Sequence, residues 1–394
     1  MRREVIVSDR KFYQSVIKLA TSFILLILVT ACSTIPRVSA QERMFLPLEL
    51  EFLGEYQLPK QTFQDTQVGG LSALTYDRQN NLLYALSDDR SNLAPARFYT
   101  LNLKLQSNNS EATKINKIEI EKVTFLSDEQ GNPYPAGSID PEGMVLSPRG
   151  TVFISSEGDL NRGINPFIGE FDLNTGKKIL NLRLPQRFLS DPTSEEAKGI
   201  QENLGFEALT VNQTGLASQD PFRLFTATES ALKQDSLSDP EKQARIRLLH
   251  YVINPIGNPV IVAEHLYLLD PASVETISNG LTELLALDKE GYLISLERTF
   301  GFTGAGAKIF QVVNGNATDT SSITSFGEEI TSVKPLRKKL LLDFSQLGIY
   351  LDNLEGMTFG PRLSDGSQTL LLVSDDNFNQ EQVTQFLLFR LSIN

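Results

Sequence analysis

The residues with chemistry to offer are carboxylates, and they recur in one local setting. The chain carries Asp88 in SDDR, Glu142 and Glu157 in DPEGM and SSEGD, Glu207 and Glu229 in GFEAL and TES, Glu283 and Glu297 in TELLAL and LER, and Glu355 and Asp375 in NLEGM and SDDN. In each case a short apolar strand, a turn rich in Gly, Asp, Asn or Pro, and a second apolar strand follow one another, the pattern of a β-hairpin. Opposite residues in an antiparallel hairpin have numbers that sum to twice the turn centre. On that arithmetic Glu142 faces Glu157, Glu207 faces Glu229, Glu283 faces Glu297 and Glu355 faces Asp375, while Asp88 faces Gly70. All sit at the hairpin end away from the turn. Like charges directly across a ladder repel, so a bound cation, raised carboxyl pKa values or inward-pointing basic side chains must compensate. All-oxygen ligands favour a hard cation, and Ca²⁺, which takes six to eight oxygens at flexible angles, suits a ring of carboxylates better than Mg²⁺. Basic residues recur close by: Arg90, Arg162, Arg298 and Lys308. The bland counterpart is a structural cation or a buried salt-bridge network. At Glu283 that counterpart is stronger, because Thr282 or Glu297 could face inward instead.

Other chemistries have little support. His250 and His265 are the chain's two histidines and lie in apolar runs that read as third and fourth strands, so a Ser–His–Asp triad would need a badly placed base. There is no Gly-x-Ser-x-Gly elbow. GFTGAGAK, from Gly301, lacks the Lys-Ser/Thr ending of a phosphate loop and has no helix after it.

The elements that must position the acids are therefore hairpins, and there are five of them, with Gly70, Glu142, Glu207, Glu283 and Glu355 recurring every 65 to 76 residues. Each hairpin is followed by further strand-like runs, such as RFYTLNLKL with KIEIEKVTFL and RIRLLHYVI with VAEHLYLL. Four strands per repeat describe a propeller blade. The fifth repeat has one extra strand, TQFLLFRL, before the chain ends, and an unassigned strand, LELEFLGEYQL, lies near the start. That N-terminal strand is expected to complete the last blade, which closes the ring and removes exposed edges. The predicted fold is an all-β propeller of five four-stranded blades, with six as the alternative if residues 301–342 hide another sheet. The inner strands line the channel, so the acids converge on one mouth of it. Polar inserts at 106–116, 190–203, 233–245 and 314–328 read as surface loops or partial lids.

Composition bounds the function classes. The 394 residues carry a net charge of −12 with 41% hydrophobic residues, which excludes a nucleic-acid binder that relies on bulk positive charge and excludes wholesale disorder. A single Cys, Cys32, excludes an internal disulfide framework. Residues 1–18 are basic, 19–31 form a short apolar run, and Val29-Thr30-Ala31-Cys32 resembles the bacterial lipoprotein box. The expected organisation is a lipoprotein signal peptide over 1–31, a tether over 32–46 with Cys32 lipidated, and one domain over 47–394, held at the extracytoplasmic side of the bacterial cell envelope.

The order SDDR, DPEGM with SSEGD, NLGFEAL with TES, LER, and NLEGMTFGP with SDDNF resembles the phytase-like family, described as having the esterase-like activity of phytase. The resemblance runs from about Gly69 to Leu391 and implies a secreted propeller domain with ester-hydrolysing activity. Its motif acids fall on Asp88, Glu142, Glu157, Glu207, Glu229, Glu355, Asp375 and Asp376, and its basic positions on Arg90 and Arg298. The first functional reading is a lipid-anchored, calcium-dependent esterase or phosphoesterase acting as a monomer on an anionic ester. In it Asp88, Glu142, Glu157, Glu229, Asp375 and Asp376 hold metal, Glu207 or Glu355 is general base, and Arg90 or Arg298 holds the anion. The second is a non-catalytic envelope propeller that binds a ligand or protein partner at the same mouth, with a structural calcium.

Overall fold

A computed structural model of the chain describes residues 42–394 apart from 107–112, 191–196, 214, 216, 238–241, 272–274, 303, 328–329 and 394. Contacts divide the chain into Met1–Leu46 and Pro47–Asn394. Of the first unit only a 3-10 turn, Glu42–Met44, and the residues just after it are described, so Cys32 and the signal-peptide segment lie outside the described residues.

The second unit is a ring of five antiparallel four-stranded sheets. Blade one is Leu71–Asp77, Leu82–Ser87, Arg97–Gln106 and Lys114–Phe125, and blade two is Pro141–Leu146, Thr151–Ser156, Phe167–Asp172 and Lys178–Asn181. Blade three is Phe206–Gln213, Phe222–Thr228, Arg245–Ile253 and Val260–Leu268. Blade four is Thr276–Ala286, Tyr292–Gly301, Gly304–Val313 and Arg337–Asp343. Blade five takes Asn353–Phe359, Gln368–Asp375 and Thr384–Ile393, and its fourth strand is Leu48–Leu58 from the other end of the chain. The expected closure is what forms: Leu48 pairs with Ile393 and Leu58 with Thr384, antiparallel. The segment 301–342 supplies the last two strands of blade four rather than a sixth sheet.

Every inner hairpin carries a fault in the same place. The register slips between Leu71 and Ala73, Pro141 and Met144, Phe206 and Leu209, Leu281 and Glu283, and Leu354 and Gly356. A bulge puts an extra residue on one strand and re-aims its side chain. The bulged positions are Ser72, Glu142, Glu207, Thr282 and Glu355, so the equivalent of the three glutamates in blade four is Thr282, and in blade one it is Ser72. Neighbouring bulges abut around the channel. The Ser72 hydroxyl donates to the Glu142 carbonyl at 2.9 Å, and a Cβ added to Gly143 would lie 2.0 Å from the Glu207 carbonyl oxygen. The apolar cores lie between blades: Leu74, Tyr99, Leu371 and Phe386 between one and five, and Phe153, Phe206, Phe222 and Tyr251 between two and three.

The described parts of two polar inserts, 233–245 and 314–328, are pinned to blade three. Thr320 N–H donates to the Glu264 carbonyl, and Asp235 receives both Arg247 Nε at 2.6 Å and the Phe326 N–H at 2.9 Å. Arg247, fully buried, also pairs with Glu264. Both histidines belong to blade three: His250 stacks on Phe225, and His265 Nδ1 lies 3.1 Å from the Thr318 carbonyl.

Candidate functional site at the carboxylate mouth

The bulges correct the pairing expected from turn arithmetic. In blade one Asp88 donates its N–H to the Gly70 carbonyl, the pairing expected, but in blades two to five the second strand meets the first two residues short of the expected partner: the N–H groups of Glu157 and Glu229 donate to the carbonyls of Asp140 and Gly205, Glu297 pairs with Leu281 and Arg298 with Gly280, and Asp375 pairs with Asn353. Glu142 does not face Glu157, Glu207 does not face Glu229, Glu283 does not face Glu297, and Glu355 does not face Asp375. The outer ring of the mouth is instead Asp88, Glu157, Glu229, Arg298 and Asp375. Blade four thus puts an arginine where the other four put acids. Beneath it lies the bulge ring with Glu142, Glu207 and Glu355.

Arg298 is the counter-ion of one half of this mouth. Its Nη2 donates to Glu229 at 2.9 Å, and its Nη1 donates to Glu355 and to the Asn353 side-chain oxygen. Those carboxylates raise the guanidinium's pKa against the opposing effect of burial. Gly280 makes the approach possible, because a Cβ there would lie 2.1 Å from a Glu229 carboxylate oxygen.

The other half has a different balance. Arg90 Nε donates to Asp140 Oδ1 at 2.6 Å, and its Nη2 reaches Asn203. About a third of the Arg90 side chain stays in solvent at the rim. Carboxylate oxygens of Asp88, Asp140 and Glu142 lie within 4.8 Å of one another. Asp140 is 1% exposed, its Oδ2 is buried away from every N–H donor, and its carboxyl lies in hydrogen-bonding reach of the Asp88 carboxyl. Glu207 Oε2 is buried and unpartnered in the same way.

Burial, then the neighbouring carboxylates, push most of this set upward. Asp88 is raised by burial, Asp140 and Glu355; Glu142 by burial, Asp88 and Asp140; Glu157 by burial, Asp140 and Glu229. Glu207 is raised by burial and Glu229, with Arg298 pulling the other way, and Asp375 by burial, Glu355 and Asp88. Burial also raises Glu355, against Arg298.

Some expected residues stand apart from the mouth, and two of its ring, Glu157 and Asp375, spend an oxygen on the backbone. Asp376 spends Oδ1 on the Gly70 and Phe378 N–H groups at 2.8 and 3.1 Å, a loop-tying role. Glu157 accepts the Gly205 N–H, and Asp375 accepts that of Asn377 at 2.7 Å. Glu283 accepts backbone N–H groups from Leu209 and Leu284 at 3.0 and 2.9 Å and staples neighbouring inner strands. Glu297 turns the other way, to Tyr267, Lys338 and the Asp270 N–H. Arg162 donates to the Ala136 carbonyl and Lys308 pairs with Asp270. Sequence reasoning missed Asp140, although the DPEGM motif displays it two residues before Glu142. A further cavity of about 980 Å³ opens at the opposite end of the inner strands, lined by Thr75, Asp77, Ser147, Asn212 and Thr358, away from these carboxylates.

The family model described as "Phytase-like: Esterase-like activity of phytase" matches residues 66–378, a span that contains every residue of the mouth. The chain belongs to the phytase-like family. A search of curated proteins finds no match. Among solved structures, an endo-arabinase from Bacteroides thetaiotaomicron is similar at 14% identity, with 83% of this chain and 95% of that one covered and a TM-score of 0.40. A GH62 α-L-arabinofuranosidase catalytic domain from Coprinopsis cinerea has 11% identity, coverage of 88% and 97%, and a TM-score of 0.38. A GH32 β-fructofuranosidase from Bombyx mori has 10% identity, coverage of 83% and 62%, and a TM-score of 0.38. Likenesses this distant say nothing about substrate.

Proposed function

We propose that this phytase-like propeller is an extracytoplasmic, lipid-anchored hydrolase of anionic esters, phosphate esters included, working at the carboxylate mouth with a divalent cation, Ca²⁺ before Mg²⁺. One observation carries the reading: one carboxylate oxygen each from Asp88, Asp140 and Glu142 lie within 4.8 Å of one another, and the buried Asp140 Oδ2 meets no N–H donor. An unpaired carboxylate oxygen among others is costly unless something positive meets it. Oxygens bound to one Ca²⁺ at about 2.3–2.6 Å can lie up to roughly 5 Å apart, so the spacing fits. Asp88, Asp140 and Glu142 would hold the ion, with Glu157 and Asp375 beside them. A cation bound there would supply a lowered pKa to a bound water and polarisation of the ester.

The protein's own groups complete the chemistry. Arg90, at the rim, meets the anionic part of the ester. Glu355, whose charge Arg298 favours, takes a proton from water as the water oxygen bonds to the ester carbon or phosphorus. Glu207, held towards its neutral form by burial, returns a proton to the departing alkoxide as the ester bond breaks. Arg298, already shared between Glu229 and Glu355, is a positioning residue.

The test is hydrolysis of carboxylic and phosphate esters by the mature protein, with calcium and with chelator. The expected result is turnover lost on chelation and lowered about 10²- to 10⁴-fold by Glu207→Gln with the melting temperature kept. No cleavage of any ester, with chelation lowering only the melting temperature, would establish the binding-module reading instead. Lipidation is checked separately: the protein should partition into detergent, and Cys32→Ala should release it.

A further inference from the structure

The Gly-rich segment that resembles a phosphate loop in sequence has another place in the fold. In blades one, two, three and five the second strand stops within a residue of the mouth, at Ser87, Ser156, Thr228 and Asp375. In blade four it runs past Arg298 to Gly301, the first strand starts early at Thr276, and the third begins at Gly304. At about 3.3 Å per residue, a three-stranded ribbon stands roughly 10 Å above the mouth on one side. The ladder between its second and third strands runs without a slip from Tyr292 to Gly301. Arg298 and Phe300 therefore share a face.

That face is otherwise bare. Ser278 and Ala305 flank Phe300, and Gly280 and Ala307 flank Arg298. With such small neighbours Phe300 remains 50% exposed, and Phe302 at the tip is 85% exposed. Large apolar side chains left in water together mark a contact surface. This one is continuous with the carboxylate mouth through a single strand.

We propose that the ribbon receives the apolar group of the ester whose polar end lies at the mouth, so that the substrate is amphiphilic: an anionic or polar head joined to an acyl, alkyl or aryl group. The inference rests on the hydrolytic reading of the mouth and narrows its substrate class. Phe300 and Phe302 are specificity residues here, and they take no part in bond breaking.

The chain contains no tryptophan, so Phe302→Trp installs a single fluorophore at the tip. Monomeric octyl phosphate should shift its emission to the blue and saturate, whereas inorganic phosphate should not. Adding Phe300→Ser should weaken that binding about tenfold. Ile256→Trp, on a loop at the opposite face, should not respond. In kinetics, KM for p-nitrophenyl esters should fall about tenfold or more from acetyl to octanoyl, and the Phe300→Ser/Phe302→Ser variant should lose that dependence. An emission unmoved by octyl phosphate, or moved only by phosphatidylcholine vesicles as a membrane-docking tip would be, overturns the proposal. So does a chain-length dependence that survives the double variant. If no ester is cleaved, the hydrolase reading falls, and the fluorescence titration still decides whether the ribbon binds an alkyl group.

Discussion

At the residue scale, the mouth is governed by an excess of buried acid over base. Asp88, Glu142, Glu157, Glu207 and Asp375 all have carboxyl pKa values raised first by burial and then by neighbouring carboxylates, Asp140, Glu229 and Glu355 among them. A carboxyl whose pKa is higher folded than unfolded stabilises the fold below its unfolded value, near pH 4, and loses that contribution as pH rises through the folded value. In chelator the melting temperature should therefore fall between about pH 5 and pH 8. Calcium should restore it at the upper end and do little at the lower, where protons already hold the site. Thermal melts over that range with and without calcium check this, and an alkaline melting temperature indifferent to calcium contradicts the cation site. His250 contributes no switch here, since burial and then Arg223 hold its pKa down at about 4. The acids themselves were legible in the sequence. Their partners were not: a guanidinium such as Arg298 can reach several carboxylates, and only the packing of three blades selects Glu229 and Glu355.

At the element scale, the repeated bulge is the device that makes a site out of a hairpin. A regular ladder would turn alternate residues to one face of the blade. The bulge instead points Glu142, Glu207 and Glu355 at the axis while the rest of each strand keeps its apolar contacts. It works only if the neighbouring backbone can come close, and Gly143 permits this between blades two and three. Gly143→Ala is expected to destabilise the domain by about 1–3 kcal/mol, because the neighbour that must yield is the Glu207 main chain rather than a flexible side chain. Denaturant unfolding measures the loss, and the same substitution should also lower cation affinity by displacing Glu207. Gly150→Ala, whose added Cβ meets nothing within 4 Å but whose φ is positive, supplies the comparison for strain alone. Turn-centre arithmetic found the right hairpins and missed the slip, since an extra residue on one strand leaves no mark in an apolar–polar pattern.

At the scale of the whole molecule, ring closure depends on one strand from the far end of the chain. Leu48–Leu58 covers the edge of Thr384–Ile393 along its whole length. Deleting residues 48–58 should leave that edge and part of the core between blades one and five open, giving a protein that aggregates on expression or melts far below the intact one. Size-exclusion chromatography and thermal melting distinguish this from an untouched fold, and a monomeric, stable truncation would show that the other four blades hold the ring alone. The buried Arg247 with Asp235 and Glu264 is the matching device within blade three. Arg247→Met is expected to cost about 3–5 kcal/mol, as it leaves the buried Asp235 carboxylate without a cation and Glu264 with Arg187 alone.

The five-blade ring, its closing strand and the gathering of acids at one mouth follow from the sequence by itself, because strand count, turn residues and hairpin polarity are local properties that repetition makes plain. Which acid meets which base, the entry of Asp140 and the release of Asp376 to a loop, the arginine in the position of a fifth acid, and the ribbon above it were decided only by tertiary structure. The physical reason is the same for each: a one-residue slip, or three residues of extra strand, changes where a side chain ends without changing the pattern of apolar and polar residues that specifies the strand.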